Sequence, residues 1–205
     1  MGSQNEIMEL TNHQKAIIIG TLLGDATLER NGKNPRLRIG HSLKQKEYIW
    51  WKYNELKTLT TSKPKIATSY HKKVKKYYKW LCFSSLSSEV FTFYQRMFYP
   101  NGRKEVTSLL CRSFKSPLSL AVWYMDDGYK RSDCNALRIS TDAFSLPEQK
   151  LLQDMLRKNF SINVNLHKKG KWWNLYIPHK ETNKFIDIVA PYIIPDMKYK
   201  IVLSP

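Results

Sequence analysis

Read for its alternation of apolar and polar positions, the chain resolves into short elements that recur in one order. Two continuous apolar runs, AIIIGTLLG (16–24) and LAVWYM (120–125), are long enough for helices and too short to cross a bilayer. Each follows a start signal. Thr11 and Gln14 form a capping box before the first, and Ser116 with Pro117 as first helical residue precedes the second. Downstream of each lies an LRI strand, at 37–39 and 137–139. Further capping boxes follow, Ser42 to Gln45 and Ser145 to Glu148, and predict amphipathic helices over 45–59 and 146–159.

A basic hairpin comes next in both places. Ile66–Ser69 and Tyr77–Phe83 flank the turn HKKVKK, and Asn163–Leu166 and Trp172–Ile177 flank HKKGK. Third helices are predicted near 87–98 and 180–190. Each half therefore reads α-β-β-α-β-β-α, with no Gly/Ser-rich linker between them. The expectation is an α+β fold of two pseudo-symmetric halves, 1–104 and 105–205. Gly20 and Gly24 share a face of the first helix, and Ala121 gives a smaller allowance on the second. Close packing there would bring both helix ends together.

Those helix ends raise a chemical question. The first run closes on Asp25, the second on Asp126 and Asp127 before Gly128. Acids are disfavoured at a helix C-terminus, where the dipole is negative, and neighbouring acids repel. Either something positive compensates them, or Asp126-Asp127-Gly128 is only a helix stop with a glycine cap.

Charge narrows the choice. Lys and Arg number 34 against 17 Asp and Glu, a net +17, while 42% hydrophobic residues support a true core. Such an excess points to a polyanion, nucleic acid before a membrane surface. Three dispersed cysteines, Cys82, Cys111 and Cys134, form neither a disulfide framework nor a metal motif, which suggests a reducing intracellular compartment. The five histidines form no zinc signature. The opening MGSQNE is read as including a cloning scar.

LAVWYMDDG resembles the nine-residue motif that names the LAGLIDADG homing endonucleases, and IIGTLLGDA resembles a more degenerate copy of it. The resemblance extends over nearly the whole chain, through the repeated element order and the basic hairpins. It implies saddle-shaped antiparallel sheets lying along the DNA major groove, with the two motif helices packed at the centre. It further implies double-strand cleavage of a long, asymmetric target by a monomer. The cofactor implied is Mg²⁺, two or three ions, with Mn²⁺ or Ca²⁺ substituting in binding. Asp25 and Asp127 occupy the motif's metal-ligand position, with Gly24 and Asp126 beside them, although Asp126 could instead only tune its neighbour. Lys104 and Lys200 match the lysines that follow the third helix in similar members. Ala26 and Val122 stand where the motif prefers glycine, which alters helix packing more than chemistry.

The hairpins carry the binding expectation, because a two-stranded ribbon fits a major groove. Lys72, Lys73, Lys75, Lys76, Lys168, Lys169 and Lys171 would contact phosphates, and Arg36, Arg38, Arg138 and Asn174 would read bases. Trp50 and Trp51 are read as packing a helix onto its sheet. Two other functions fit the basic surface: an RNA-binding maturase acting on its own intron, and a DNA-binding protein that does not cut. Neither needs both acids.

Overall fold

The computed structural model describes residues 9–203; the opening MGSQNE stretch and the side chains of Asn31 and Lys169 lie outside the described residues. Helix α1 (Asn12–Leu23) begins at the expected box, with the Thr11 hydroxyl accepting from the Gln14 N–H and the Gln14 amide oxygen accepting from the Thr11 N–H, both at 3.1 Å. Helix α5 (Pro117–Asp127) starts after Ser116 and is buried from Leu118 to Asp126. A helix buried all round needs a neighbour on every side. Here α1 and α5 serve each other, and their backbones approach closely. A Cβ on Gly20 would lie 2.5 Å from the Ser119 carbonyl, and one on Gly24 would lie 2.6 Å from the Asp126 Cβ. The Ser119 hydroxyl donates to the Ala16 carbonyl at 2.8 Å and ties the pair further.

From each motif helix the chain runs into a sheet. After α1 come β1 (Thr27–Asn31), β2 (Asn34–Ser42), α2 (Lys46–Leu56), β3 (Lys65–His71), β4 (Lys76–Ser84) and α3 (Val90–Phe98). A short helix α4 (Ser108–Ser113), not anticipated from the sequence, leads to α5. Then follow β5 (Gly128–Lys130), β6 (Leu137–Ile139), α6 (Leu146–Phe160), β7 (Asn165–Lys169), β8 (Trp172–Ile177) and α7 (His179–Val189). The two four-stranded sheets have equivalent orders, β1-β2-β4-β3 and β5-β6-β8-β7, with every pairing antiparallel. This is the α+β duplication expected.

Local departures have local causes. Ser42 is held at the end of β2 opposite Trp80 and forms no side-chain cap. A 3₁₀ turn, Leu43–Gln45, therefore precedes α2, and another, Lys57–Leu59, closes it. The Ser145–Glu148 box does form. One core runs through both halves, from Ile17, Leu22 and Ile39 to Trp123, Leu156 and Phe185. Trp50 and Trp51 pack against it as expected. No helix among the described residues is long and apolar enough to cross a membrane.

Candidate active site

Pairing of α1 with α5 sets the motif acids at one end of the interface. Helix α1 stops at Leu23, where Gly24 caps it, so Asp25 sits on the link to β1 with its side chain 40% exposed. Asp127 is the last residue of α5 and is partly buried. Each helix end receives one of the expected lysines. Lys104 donates to the Gly24 and Ala26 carbonyls, both at 2.8 Å. Lys200 donates to the Met125 carbonyl at 2.5 Å and the Asp126 carbonyl at 3.3 Å. Lys200 thus sits on the last carbonyls of α5 and Lys104 on the cap of α1 and the link beyond it, where unsatisfied acceptors and the negative dipole end favour a cation. These are part of the positive compensation that the sequence called for.

The rest surrounds Asp126. Its side chain is fully buried, and both carboxylate oxygens are engaged. Oδ1 accepts from the Lys52 ammonium at 2.6 Å and the Tyr48 hydroxyl at 2.7 Å. Oδ2 accepts from the Thr21 hydroxyl at 3.0 Å and the Asp25 backbone N–H at 3.2 Å. Four donors satisfy a charge that would otherwise be very costly in the interior. Lys52, itself fully buried, also donates to Thr21 Oγ1 at 2.7 Å and reaches His41 Nε2 at 3.0 Å. The other imidazole nitrogen, Nδ1, lies 3.3 Å from Asp25 Oδ2. Asp25, His41 and Asp126 bring potential ligand atoms within 4.8 Å of one another. Of the three, Asp25 has the accessible oxygen, whereas those of Asp126 are occupied.

His41, Lys52, Tyr48 and Thr21 were not singled out from the sequence, though two left a trace. His41 has the strand parity of buried Leu37 and Ile39. Lys52 falls on the helical stripe of Tyr48, Ile49 and Leu56, where a lysine is out of place.

The two acids are electrostatically unlike. Burial pushes the Asp25 carboxyl up, but His41, Lys52 and Lys200 outweigh it and leave it below the usual carboxylate range. Burial and repulsion from Asp126 and Asp25 push Asp127 up to about 7, despite Lys104 nearby. Desolvation lowers both Lys104 and Lys200 against the pull of the acids. The Tyr48 phenol is held far above its ordinary value by burial and by Asp126, so it remains a donor.

Strand parity sorts the expected DNA contacts. Arg36 and Arg38 lie on the open face of β2, opposite the core-facing Leu37 and Ile39. Both are held by Glu29, at 3.0 and 2.8 Å. Arg138 occupies the corresponding face of β6, its guanidinium 5.8 Å from the Tyr176 ring. Lys72, Lys73, Lys75 and Lys76 are exposed at the first hairpin, as are Lys168 and Lys171 at the second. The Lys169 side chain lies outside the described residues. Asn174 departs from expectation. It is 1% exposed, with its amide oriented to donate to Asp142 Oδ1 at 2.6 Å and the Trp173 carbonyl at 3.0 Å. A side chain so placed is engaged within the protein rather than offered to a base on the open face.

Comparison with known proteins agrees with this geometry. The family model for the LAGLIDADG DNA endonuclease family matches residues 15–185. DNA endonuclease I-ChuI of Chlamydomonas applanata is 30% identical over 210 residues, covering 95% of this chain and 96% of that protein. Cytochrome b mRNA maturase bI2 of Debaryomyces hansenii is 32% identical over 194 residues, 90% of this chain and 72% of that protein. Among solved structures, homing endonuclease I-WcaI bound to its DNA recognition sequence superposes with a TM-score of 0.88 at 24% identity, covering 100% of this chain and 96% of that one. A variant of I-DmoI, in complex with its nicked target DNA in the presence of manganese, gives 0.55 at 15% identity over 89% of this chain and 98% of that one. With two motif helices ending on paired acids between two matching sheets, and with a family model spanning most of its length, the chain belongs to the LAGLIDADG DNA endonuclease family.

Proposed function

We propose that this protein is a site-specific endonuclease that hydrolyses both strands of a long, asymmetric DNA target with divalent metal, acting as a monomer. The observation that carries the proposal is the placement of Asp25 just past α1 and of Asp127 at the end of α5, near enough to repel each other, with each helix end bound by its own lysine. Halves 1–104 and 105–205 would each contribute one acid and one sheet, so the two half-targets need not match.

The donor set fits a hard cation. Mg²⁺ prefers a few oxygen ligands and fills its octahedron with waters and substrate phosphate, and Asp25 offers an accessible carboxylate beside backbone carbonyls. Asp25 and Asp127 would hold two or three ions, for which Mn²⁺ or Ca²⁺ can substitute in binding, and the Gly24 carbonyl would join them only on release from Lys104. Bound metal supplies an activated water and charge neutralisation at the phosphate. Asp126 supports this centre from within, since its oxygens are filled. Lys104 and Lys200, partly desolvated beside the acids, place positive charge where the phosphorane-like transition state gains negative charge. Arg36, Arg38 and Arg138 read base edges from the open sheet faces. Lys72, Lys73, Lys75, Lys76, Lys168, Lys169 and Lys171 neutralise phosphates.

The test is to incubate a complex DNA library with protein and Mg²⁺ and sequence all new ends. Paired breaks at one recurrent sequence are expected; their absence from folded protein on a library of adequate coverage would refute endonuclease action. A second reading, assistance of its own intron RNA, is favoured by the similarity to the maturase of Debaryomyces hansenii. Filter binding to structured intron RNA, competed with the DNA target, measures it. An intracellular, reducing setting suits Cys82, Cys111 and Cys134, all unpaired.

A further inference from the structure

The pseudo-twofold symmetry breaks beside the acids, where the break bears on chemistry. Two residues beyond the isoleucine of each LRI strand stand His41 in the first half and Thr141 in the second. Thr141 donates to the Gln149 side chain at 2.7 Å, a neutral buried pair. His41 meets Lys52 instead, in a cluster that includes Asp126 and touches Asp25.

The Lys52 ammonium has three N–H groups and meets three acceptors: Asp126 Oδ1, Thr21 Oγ1 and His41 Nε2. An ammonium can only donate, so Nε2 must accept, and the single imidazole proton is left on Nδ1. Nδ1 is buried and lacks a hydrogen bond of good geometry, although Asp25 Oδ2 is 3.3 Å away. That N–H thus lies beside Asp25, on the first-half side of the centre, without a hydrogen bond of its own. Through Asp126, the same ammonium also steadies the carboxylate that holds the Asp25 backbone N–H.

We propose that Lys52 is a positioning residue for the Asp25 side of the active site. It fixes the Nδ1–H tautomer of His41 and, through Asp126, the Asp25 backbone, whereas the matching position of the second half, Thr141, pairs with Gln149 instead. The consequence is that the two DNA strands depend unequally on Lys52. This consequence rests on endonuclease action, while the tautomer is a property of the DNA-free protein.

Two measurements test it. In long-range ¹H–¹⁵N spectra, with the His41 signals assigned by comparison with His41→Gln, the protein should show Nδ1 protonated and Nε2 bare. Lys52→Met should abolish that preference. A His41 with its proton on Nε2, or on both nitrogens, would overturn the assignment whatever the protein does to DNA.

The second measurement follows nicking of each end-labelled strand of the target recovered from the library. Lys52→Met leaves Asp126 buried without its cation, so the charge-neutral pair Lys52→Met/Asp126→Asn is run beside it to keep the fold. Loss of a residue that orients a metal-site ligand typically slows reaction by about 10–100-fold. One strand should slow by at least about tenfold, with the other changed by less than about threefold. Equal slowing of both strands, or none, would overturn the proposal. Failure of the unmutated protein to cut either strand would instead refute the endonuclease reading and leave the tautomer result standing.

Discussion

Replacing Asp127 by asparagine should make the metal-free protein more stable at neutral pH, although it removes a proposed metal ligand. Asp127 titrates near 7 in the folded chain against a reference of 3.8, with burial the largest cause and Asp126 and Asp25 adding repulsion. Between those two values the unfolded chain has released this proton and the folded chain has not. Stability therefore falls as pH rises through the interval and levels off above about 7. At about 1.4 kcal/mol per pKa unit the full loss approaches about 4 kcal/mol, and solvent screening at a partly buried carboxylate trims it to roughly 2–4 kcal/mol. Asparagine is neutral throughout and escapes it. For a chain of this size the gain corresponds to about 5–12 °C in melting temperature at pH 7.5, shrinking to nearly nothing at pH 4. Thermal melts of both proteins in EDTA from pH 4 to 8 provide the comparison. An Asp127→Asn protein no more stable at pH 7.5, or a difference that ignores pH, would show that the electrostatic picture of this centre is wrong.

Other expectations follow from the same geometry. In its proposed role as a metal ligand Asp127 has to give up its proton, so Mg²⁺ affinity of the DNA-free protein should weaken as pH drops below about 7, by up to tenfold per unit; calorimetry from pH 6 to 8 measures this. Lys52→Met strands the buried Asp126 carboxylate and should cost about 3–5 kcal/mol in urea denaturation, much of it recovered by adding Asp126→Asn. Gly20→Ala would push a methyl to 2.5 Å from the Ser119 carbonyl, backbone that cannot swing aside, and should cost at least about 1–3 kcal/mol in the same assay. Lys73→Ala should lower the slope of log affinity against log salt by about one, and an unchanged slope would remove that contact.

What the sequence made legible was what local chemistry encodes. Capping at Thr11, the Pro117 start and the Ser145–Glu148 box are short-range signals, and each marks a helix in the structure. Repetition of the element order exposed the duplication, and the glycines at 20 and 24 announced the close helix approach. The interior of the site was hidden because its partners lie far apart along the chain. Lys52 finds Asp126 only when α2 packs beneath the motif helices, and Thr21 finds it across the pseudo-twofold. The burial of Asn174 was hidden for a related reason. Its strand parity is that of an outward position, but Asp142 and the Trp173 carbonyl close over it. Ser42 shows the limit of a local motif, because pairing of β2 with β4 takes the residue before it can cap.

The most direct test takes the recurrent target recovered from the library and compares the unmutated protein with Asp25→Asn and Asp127→Asn. Cleavage is measured in Mg²⁺, Mn²⁺ and EDTA, and binding is measured in Ca²⁺. If the paired acids form one metal-dependent centre, the unmutated protein cuts both strands in Mg²⁺ and Mn²⁺ but not in EDTA. Each variant then still binds the target yet loses double-strand cleavage. Double-strand cutting that survives in both variants, or in EDTA, would contradict that centre outright.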